Sequence, residues 1–381
     1  KKAYKEKGDE LGIGLIDGFI GNMGYDMVST FEPTLENSMS GLKDEFNIAD
    51  CDLIRPKMVL VYSHKSSKLT IVTSMQSMEK YIATIEESLN EPFENTPLKK
   101  ATLLDDGHFS HSKEKFFDMI TQSKEMIKSG DVFQILMTNR YTQKAKIDNL
   151  SFYRMLRSKN PSPYVFLLEY EDFCIAGSSP EVMVRLTDNR ILLRPIAGTR
   201  KRGSTTEEDE LLAKELLSDP KELAEHIMLL DLGRNDVGSV SQYDSVSIDE
   251  KMVIEKYSHV MHITSSVSGK LRSDKNAFDG LRACLPAGTL SGAPKVRAME
   301  IIDELEQTRR GPYGGAVGYI NFSGDINTCI TIRTIVLKNG KDAYIQAGAG
   351  IVADSIPEME YQETLNKAKG LLRAIEVAER I

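Results

Sequence analysis

The sequence predicts an α+β fold, from three observations. Runs of β-branched and aromatic residues follow one another at hairpin-like spacing. Stretches with apolar residues at helical spacing fall between groups of strands rather than after each one, which argues against a regular βαβ array. Glycine and proline punctuate both kinds of segment.

In chain order, strand-like pieces at 58–62 and 69–72 lie among glycine-rich turns. Residues 91–112, with two prolines and Asp105-Asp106-Gly107, read as an exposed connection. Phe116, Phe117, Ile120 and Ile127 make Lys113–Ser129 a helix that Gly130 stops. Strands are expected at 132–137, 164–168 and 181–186. Residues 206–232 are helical in pattern, broken at Asp219-Pro220, where an acidic cap precedes a proline suited to a first helical turn. The last third holds a helix over Lys295–Glu306 and strands at 315–322, 329–337 and 343–347. A closing helix over 357–381 carries Glu360, Glu363 and Lys367 on one face.

With 41% apolar residues in 381, the chain can bury a large core. Its 56 acidic against 48 basic residues, a net charge of −8, argue against a protein that coats nucleic acid. A small anionic ligand is not excluded, because it needs only local cations and backbone donors. No apolar stretch approaches the ~20 residues of a membrane span. The opening Lys1-Lys2-Ala3-Tyr4-Lys5-Glu6-Lys7 is not followed by a signal-peptide core. Cys51, Cys174, Cys284 and Cys329 are far apart in sequence, which disfavours a thiolate zinc site and suits a reducing, cytosolic setting.

Two acid pairs stand out. Glu222 and Glu225 are three residues apart and share a helix face, and Glu360 and Glu363 repeat the spacing. If the pairs face one another they make a hard, oxygen-rich site suited to Mg²⁺; otherwise they are two solvated helix faces. Three glycine-containing turns, at 195–199, 286–295 and 346–350, could present backbone N–H groups to an anion. None matches a nucleotide-binding signature, and each is by itself compatible with an ordinary turn. Arg200-Lys201-Arg202-Gly203 reads as a surface turn beside the acidic run 207–210. The polar knot Asp231-Leu232-Gly233-Arg234-Asn235-Asp236, placed after an apolar helix, implies bracing rather than catalysis. His262 sits in an apolar setting that by itself suggests a satisfied core residue. No nucleophile elbow is present, which disfavours an acyl-enzyme.

In order along residues 110–381, these segments resemble the chorismate-utilising enzymes. The match runs through Gly130-Asp131-Val132-Phe133-Gln134, Gly177-Ser178-Ser179-Pro180-Glu181, Pro195-Ile196-Ala197-Gly198-Thr199 and the stretch 219–236. It continues through Ser258-His259-Val260-Met261-His262, the stretch 286–295, Gly315-Ala316-Val317-Gly318-Tyr319, Ile332-Arg333-Thr334 and Gln346-Ala347-Gly348-Ala349-Gly350. It closes with the stretch 360–368. The resemblance is strongest to the anthranilate synthase branch. It implies two sheet layers flanked by helices with the active site in the cleft between them. Residues 111–381 would form one intertwined catalytic region, and residues 1–110 would add to the sheet layers.

The resemblance also implies roles. Glu225 and Glu363 match direct Mg²⁺ ligands, and Glu222 and Glu360 match acids that hold the metal's waters. Arg333, Tyr319, Gly348 and Gly350 match contacts to the enolpyruvyl carboxylate of chorismate; Thr289, Lys367, Ala197 and Gly198 join the substrate-binding set. Glu181 matches an acid or base near the C4 hydroxyl, His262 the histidine of pyruvate elimination, and Thr199 and Gln134 complete the catalytic set.

Two positions separate the branches. Relatives that add water carry lysine where this chain has Gln134, and relatives that attack the ring covalently carry lysine where it has Ala197. Neither residue here is a base or nucleophile, so the pair implies ammonia as the incoming group. The expected activity is that of a large anthranilate synthase subunit, yielding anthranilate and pyruvate, with a separate glutamine amidotransferase supplying ammonia. An aminodeoxychorismate or aminodeoxyisochorismate synthase, or a non-catalytic chorismate-binding subunit, are the alternatives. The family's early Leu-Leu-Glu-Ser segment, half of a tryptophan feedback site, is not found here, whereas Asn160-Pro161-Ser162-Pro163-Tyr164 matches the other half. Gly18 to Asp26 resembles the family's early glycine-rich strand.

Overall fold

The computed structural model describes Gly8, residues 13–257 and residues 260–380, with no account of the side chains of residues 377–380. The lysine-rich opening, Ser258-His259 and Ile381 lie outside the described residues. Among those described, two antiparallel sheets carry most of the strands. The first runs Ile196–Lys201, Val260–Lys270, Arg190–Leu193, Val182–Thr187, Ile326–Ile330, Ala316–Asn321, Gly18–Met23, Cys51–Ile54; Ser247–Lys256 also pairs with Val260–Lys270. The second runs Gly292–Ala293, Gln134–Lys146, Asp342–Ile351, Thr334–Lys338, Phe173–Ser179, Tyr164–Glu169. Val59–Ser63 and Lys68–Val72 form a separate hairpin.

The chain passes directly from one sheet to the other, within two or three residues, at two neighbouring places. Phe173–Ser179 belongs to the second sheet and Val182–Thr187 to the first, so the chain crosses at Pro180-Glu181. Ile326–Ile330 belongs to the first sheet and Thr334–Lys338 to the second, so it crosses back through Thr331-Ile332-Arg333. The crossings are bonded to each other's flanks: Ile330 N donates to Glu181 O (3.0 Å), and Ser178 N donates to Arg333 O (3.0 Å). The single strand expected over 329–337 is therefore two strands. Arg333 takes a left-handed φ of 52° between them, which turns the chain from one sheet to the other.

Strand alternation sorts the second sheet into two faces. Ile135 and Met137 of Gln134–Lys146, with Ala349 and Ile351, face helices Lys113–Ser129 and Lys295–Glu306. Ala343, Ile345 and Ala347 face helices Asn149–Lys159 and Pro357–Arg380. The alternate positions, Gln134, Leu136, Gln346, Gly348 and Gly350, open on the space between the sheets. On the first sheet, helices Pro220–Val240 and Ala277–Cys284 cover Met183, Val184, Ile191 and Val267.

Several expectations need correcting. The strand read at 132–137 extends to Lys146, because its polar half pairs with Thr102–Leu103, His108–Phe109 and Asp342–Ile351. Those first two strands also organise the stretch 91–112, read as a plain connection. Residues 195–199 and 346–350 are not loops but largely strand, in Ile196–Lys201 and Asp342–Ile351. Glycine misled here: the first carries a bulge at Gly198 (φ 67°), and in the second glycine leaves room for the neighbouring strand. The knot 231–236 lies inside helix Pro220–Val240, where Asp236 braces Lys295 (2.9 Å).

One ion pair underpins the inter-sheet floor. Arg310 is fully buried and bonds Glu306 through Nε (2.9 Å) and Nη2 (2.7 Å). It also donates to the carbonyls of Leu136 (2.8 Å) and Leu290 (2.6 Å), while Glu306 accepts from Thr138 N (2.8 Å) and Oγ1 (2.9 Å). The pair is fully hydrogen-bonded, and losing one member strands the other charge. Glu306→Ala should destabilise the fold by ~3–5 kcal/mol in urea unfolding, the scale of breaking a buried pair. A change below ~1 kcal/mol would show that Arg310 finds solvent without it.

Candidate active site

A cavity of about 790 Å³ opens between the sheets, large enough for a small organic dianion. The two crossings supply Glu181 and Arg333, the first sheet supplies Ala197, Gly198, Thr199 and His262, and the second supplies Gln134, Gly348 and Gly350. Helix Pro220–Val240 brings Glu222 and Glu225, the closing helix brings Glu360, Glu363 and Lys367, and the turn Gly288–Leu290 brings Thr289. All but one of the residues singled out from sequence line this one space.

The exception is Tyr319. It lines a different cavity of about 140 Å³ with Asn321, Asn327 and Arg185, and its hydroxyl packs against Gly14. The glycine-flanked Tyr313, just ahead of strand Ala316–Asn321, lines the main cavity instead. Tyr313 is also a buried member of the core beneath the first sheet, so nothing local in Gly311-Pro312-Tyr313-Gly314-Gly315 marked it as a cavity residue.

Each group has a defined electrostatic setting. Burial pushes the Glu181 carboxyl up to about 8, against the pull of Thr289 Oγ1 (3.3 Å), Lys367 and Arg333. Near neutral pH it is therefore a protonated acid, able to donate. Arg333 donates from Nη1 to Lys367 O (3.0 Å), and burial pulls its guanidinium below the usual range. Lys367 reaches Gly348 O (2.9 Å) and Glu363 (2.6 Å).

His262 bonds Gly198 O through Nδ1 at 2.9 Å, with Thr199 Oγ1 at 3.1 Å. A carbonyl only accepts, so Nδ1 carries the proton and Nε2 keeps its lone pair. Burial lowers the affinity of the imidazole for a second proton. Sequence context suggested a core histidine, but the bulge at Gly198 turns its carbonyl onto this ring.

The four acids come from opposite walls. Burial, then the negative charges of Glu222 and Glu363, raise Glu225 above the usual carboxylate range. Burial and Glu363 do the same to Glu360, which Ser355 and the nearby lysines partly offset. Glu222 is bonded to Arg200 (3.1 Å). Among the described residues no three carboxylate, thiol or imidazole groups converge closely enough to cage an ion. Facing acids that repel across a gap fit a hard cation that keeps most of its waters.

A family model for chorismate binding enzymes matches residues 1–373. The chain belongs to the chorismate-binding enzyme family. Within that family, the anthranilate synthase component 1 of Acetivibrio thermocellus is 47% identical over 383 residues, covering 96% of this chain and 76% of its own. That of Aquifex aeolicus is 44% identical, with 95% and 75% covered. The crystal structure of anthranilate synthase component I from Streptococcus pneumoniae superposes with a TM-score of 0.85 at 40% identity, covering 94% of this chain and 80% of that one. The menaquinone-specific isochorismate synthase of Escherichia coli, at 19% identity and a TM-score of 0.75, shares the fold.

Burial of Glu181 predicts a pH signature. Its proton affinity is raised on folding, so its stabilising contribution is full below the unfolded carboxylate range and is lost as pH climbs towards about 8. Glu181→Gln should lose less stability than the wild type between pH 5 and 9, in paired urea melts. Parallel pH curves would show that Glu181 is ionised throughout.

Proposed function

We propose that this chain is the large subunit of an anthranilate synthase, a lyase that converts chorismate and ammonia to anthranilate, pyruvate and water in tryptophan biosynthesis. The observation that carries this reading is the chemistry at positions 134 and 197. Gln134 is buried, with its amide against Gly350, and Ala197 lines the cavity with a methyl group. Neither can deprotonate water or attack a ring carbon, so the nucleophile has to arrive already basic. The similarity to anthranilate synthase components over most of the chain supports the same reading.

In this reading Arg333 and the backbone at Gly348 and Gly350 hold the enolpyruvyl carboxylate, where a charge-assisted pair fits a carboxylate well. Glu181, protonated, gives its proton to the C4 hydroxyl, which departs as water while ammonia bonds to C2. The Nε2 lone pair of His262 then takes the C2 proton as the ring becomes aromatic and the C3–O bond breaks. The released enolpyruvate takes up the proton that the ring ammonium sheds and becomes pyruvate, and His262 returns its proton to solvent. Thr199 and Gly198 fix that imidazole by holding Nδ1.

Glu225 and Glu363 would hold Mg²⁺ directly, with Glu222 and Glu360 holding its waters. The ion would supply a positive charge that orients and polarises the ring carboxylate. A glutamine amidotransferase subunit is proposed as the ammonia source, in the cytoplasm. Tryptophan is proposed as a feedback ligand beside Tyr319, where Tyr164 bonds Asn327 (2.9 Å).

Two results are expected. Purified protein with chorismate, Mg²⁺ and an ammonium salt at mildly alkaline pH should form anthranilate, read by fluorescence, and pyruvate in equal amounts. Glutamine alone should give neither. Isochorismate or an aminated non-aromatic ring as main product would overturn the assignment.

Chelation should abolish turnover and Mg²⁺ should restore it. Glu225→Ala or Glu363→Ala should cost at least ~100-fold in kcat/KM, the scale of a lost transition-state charge contact. Full activity in excess chelator would exclude the metal.

A further inference from the structure

A second, smaller chamber of about 40 Å³ lies behind Glu181 and Thr289. Glu181, Leu229 and Thr289 line both it and the main cavity. Leu232 and Asp236 line both it and an open groove of about 810 Å³ on the other side. The three spaces thus stand in series, each sharing wall residues with the next. A chamber of this size takes about three waters, since each needs ~10–15 Å³, and it excludes chorismate. Glu181, Thr289, Arg194 and Asp236 give a water the polar partners it needs.

The proposed reaction leaves a requirement at this spot. Once Glu181 has given its proton to the departing hydroxyl it is a buried carboxylate, with Arg333, Lys367 and the substrate occupying the cavity side. It has to regain a proton before the next turnover. Resting on that reading of Glu181, we propose that the rear chamber is its proton-return path, with Asp236 as the relay between chamber water and solvent in the groove.

The balance involves protons only, and the one taken up here matches the one His262 returns to solvent. Glu181 gives one to the hydroxyl, which leaves as water. Chamber water passes one from the Asp236 carboxyl to the Glu181 carboxylate, and Asp236 recovers one from hydronium or a buffer acid in the groove. The surroundings of Asp236 suit a relay. Lys295 bonds its Oδ2 (2.9 Å) from the N-terminus of helix Lys295–Glu306 and also reaches Ala283 O (3.4 Å); the buried Cys284 thiol faces the same chamber. Burial raises the proton affinity of Asp236, and the Lys295 ammonium opposes that rise. Facing Glu181 are Thr289, Lys367 and Arg333.

The test compares Asp236→Asn with the double variant Asp236→Asn/Lys295→Met, in which no buried lysine is left unpaired. At fixed saturating ammonium, kcat for anthranilate should fall ~10–100-fold in both, the range for losing a proton-transfer group. KM for chorismate should stay within about twofold, because neither residue lines the main cavity. The decisive readout is rescue. Small acids such as acetic acid or imidazolium should restore kcat with concentration, and bulky buffers of equal pKa should not. A loss that no buffer restores, or unchanged kcat in both variants, would overturn the relay. So would a raised KM for ammonium alone, which would assign the chamber to the nucleophile. Absence of anthranilate with the wild type would instead overturn the proposed activity before any variant is compared.

Discussion

The pairing of two sheet crossings is the constraint on which the rest of this molecule depends. A strand that leaves one sheet for another has to spend two or three residues outside either ladder, and those residues face the space between the layers. Here the crossings at Pro180-Glu181 and at 331–333 lie side by side because the strands before and after them are paired, Val182–Thr187 with Ile326–Ile330 and Phe173–Ser179 with Thr334–Lys338. Backbone bonds from Ile330 and Ser178 lock the two crossings together. An acid and a guanidinium are thereby fixed in one cavity without either sitting on a flexible loop. The left-handed φ at Arg333, unfavourable for a side chain of that size, persists because both flanking strands are held in different sheets.

From that constraint the charge layout follows. Each sheet carries its own helices, so a cavity between sheets is roofed by a helix from each layer: Pro220–Val240 from the first and Pro357–Arg380 from the second. The acid pairs at i,i+3 spacing then meet from opposite walls. Cations at Arg333 and Lys367 line the cavity together with Gly348 and Gly350, whose lack of side chains leaves room for the neighbouring strand and for Gln134. In the proposed function an anionic substrate would meet direct positive charge at Arg333 and acids that would hold a cation at the helix pair, with Lys367 paired to Glu363 between them. Such asymmetry fixes the direction in which a molecule with two carboxylates can bind.

Much of this was legible in the sequence, and what was not has physical reasons. Lys295–Glu306 and the start of the helix at Pro220 were readable because cap, proline and apolar spacing are local signals. The acid pairs were visible as a helix face, but their opposition was not, since it depends on which sheet each helix covers. Glycines at 198, 348 and 350 read as turns because local propensity cannot distinguish a turn from a strand that must make room. The crossing at Arg333 was invisible: 329–337 is a continuous β-prone run, and only tertiary pairing decides that it serves two sheets. Tyr319 was misplaced for a related reason, because the resemblance identified its strand while the pleat decides which cavity each residue enters. The bulge that turns Gly198 O onto His262 also lay beyond pattern, so chemistry had to be carried there by resemblance.

Small side chains matter to this site as much as charged ones. A lysine at position 197 would place an amine where the cavity now has a methyl group, and one at 134 would place a base where an amide now packs beneath Gly350. Either would create a competing nucleophile or activate water inside the same electrostatic frame. The frame itself, built by crossings, acid pairs and the imidazole held through Nδ1, is compatible with several fates of one substrate. In the proposed function, what would select among them is the absence of basic groups at two positions; the buried Arg310–Glu306 pair ties down the strand carrying Gln134 and the turn carrying Thr289. In that reading, specificity is set by which nucleophile the walls decline to provide.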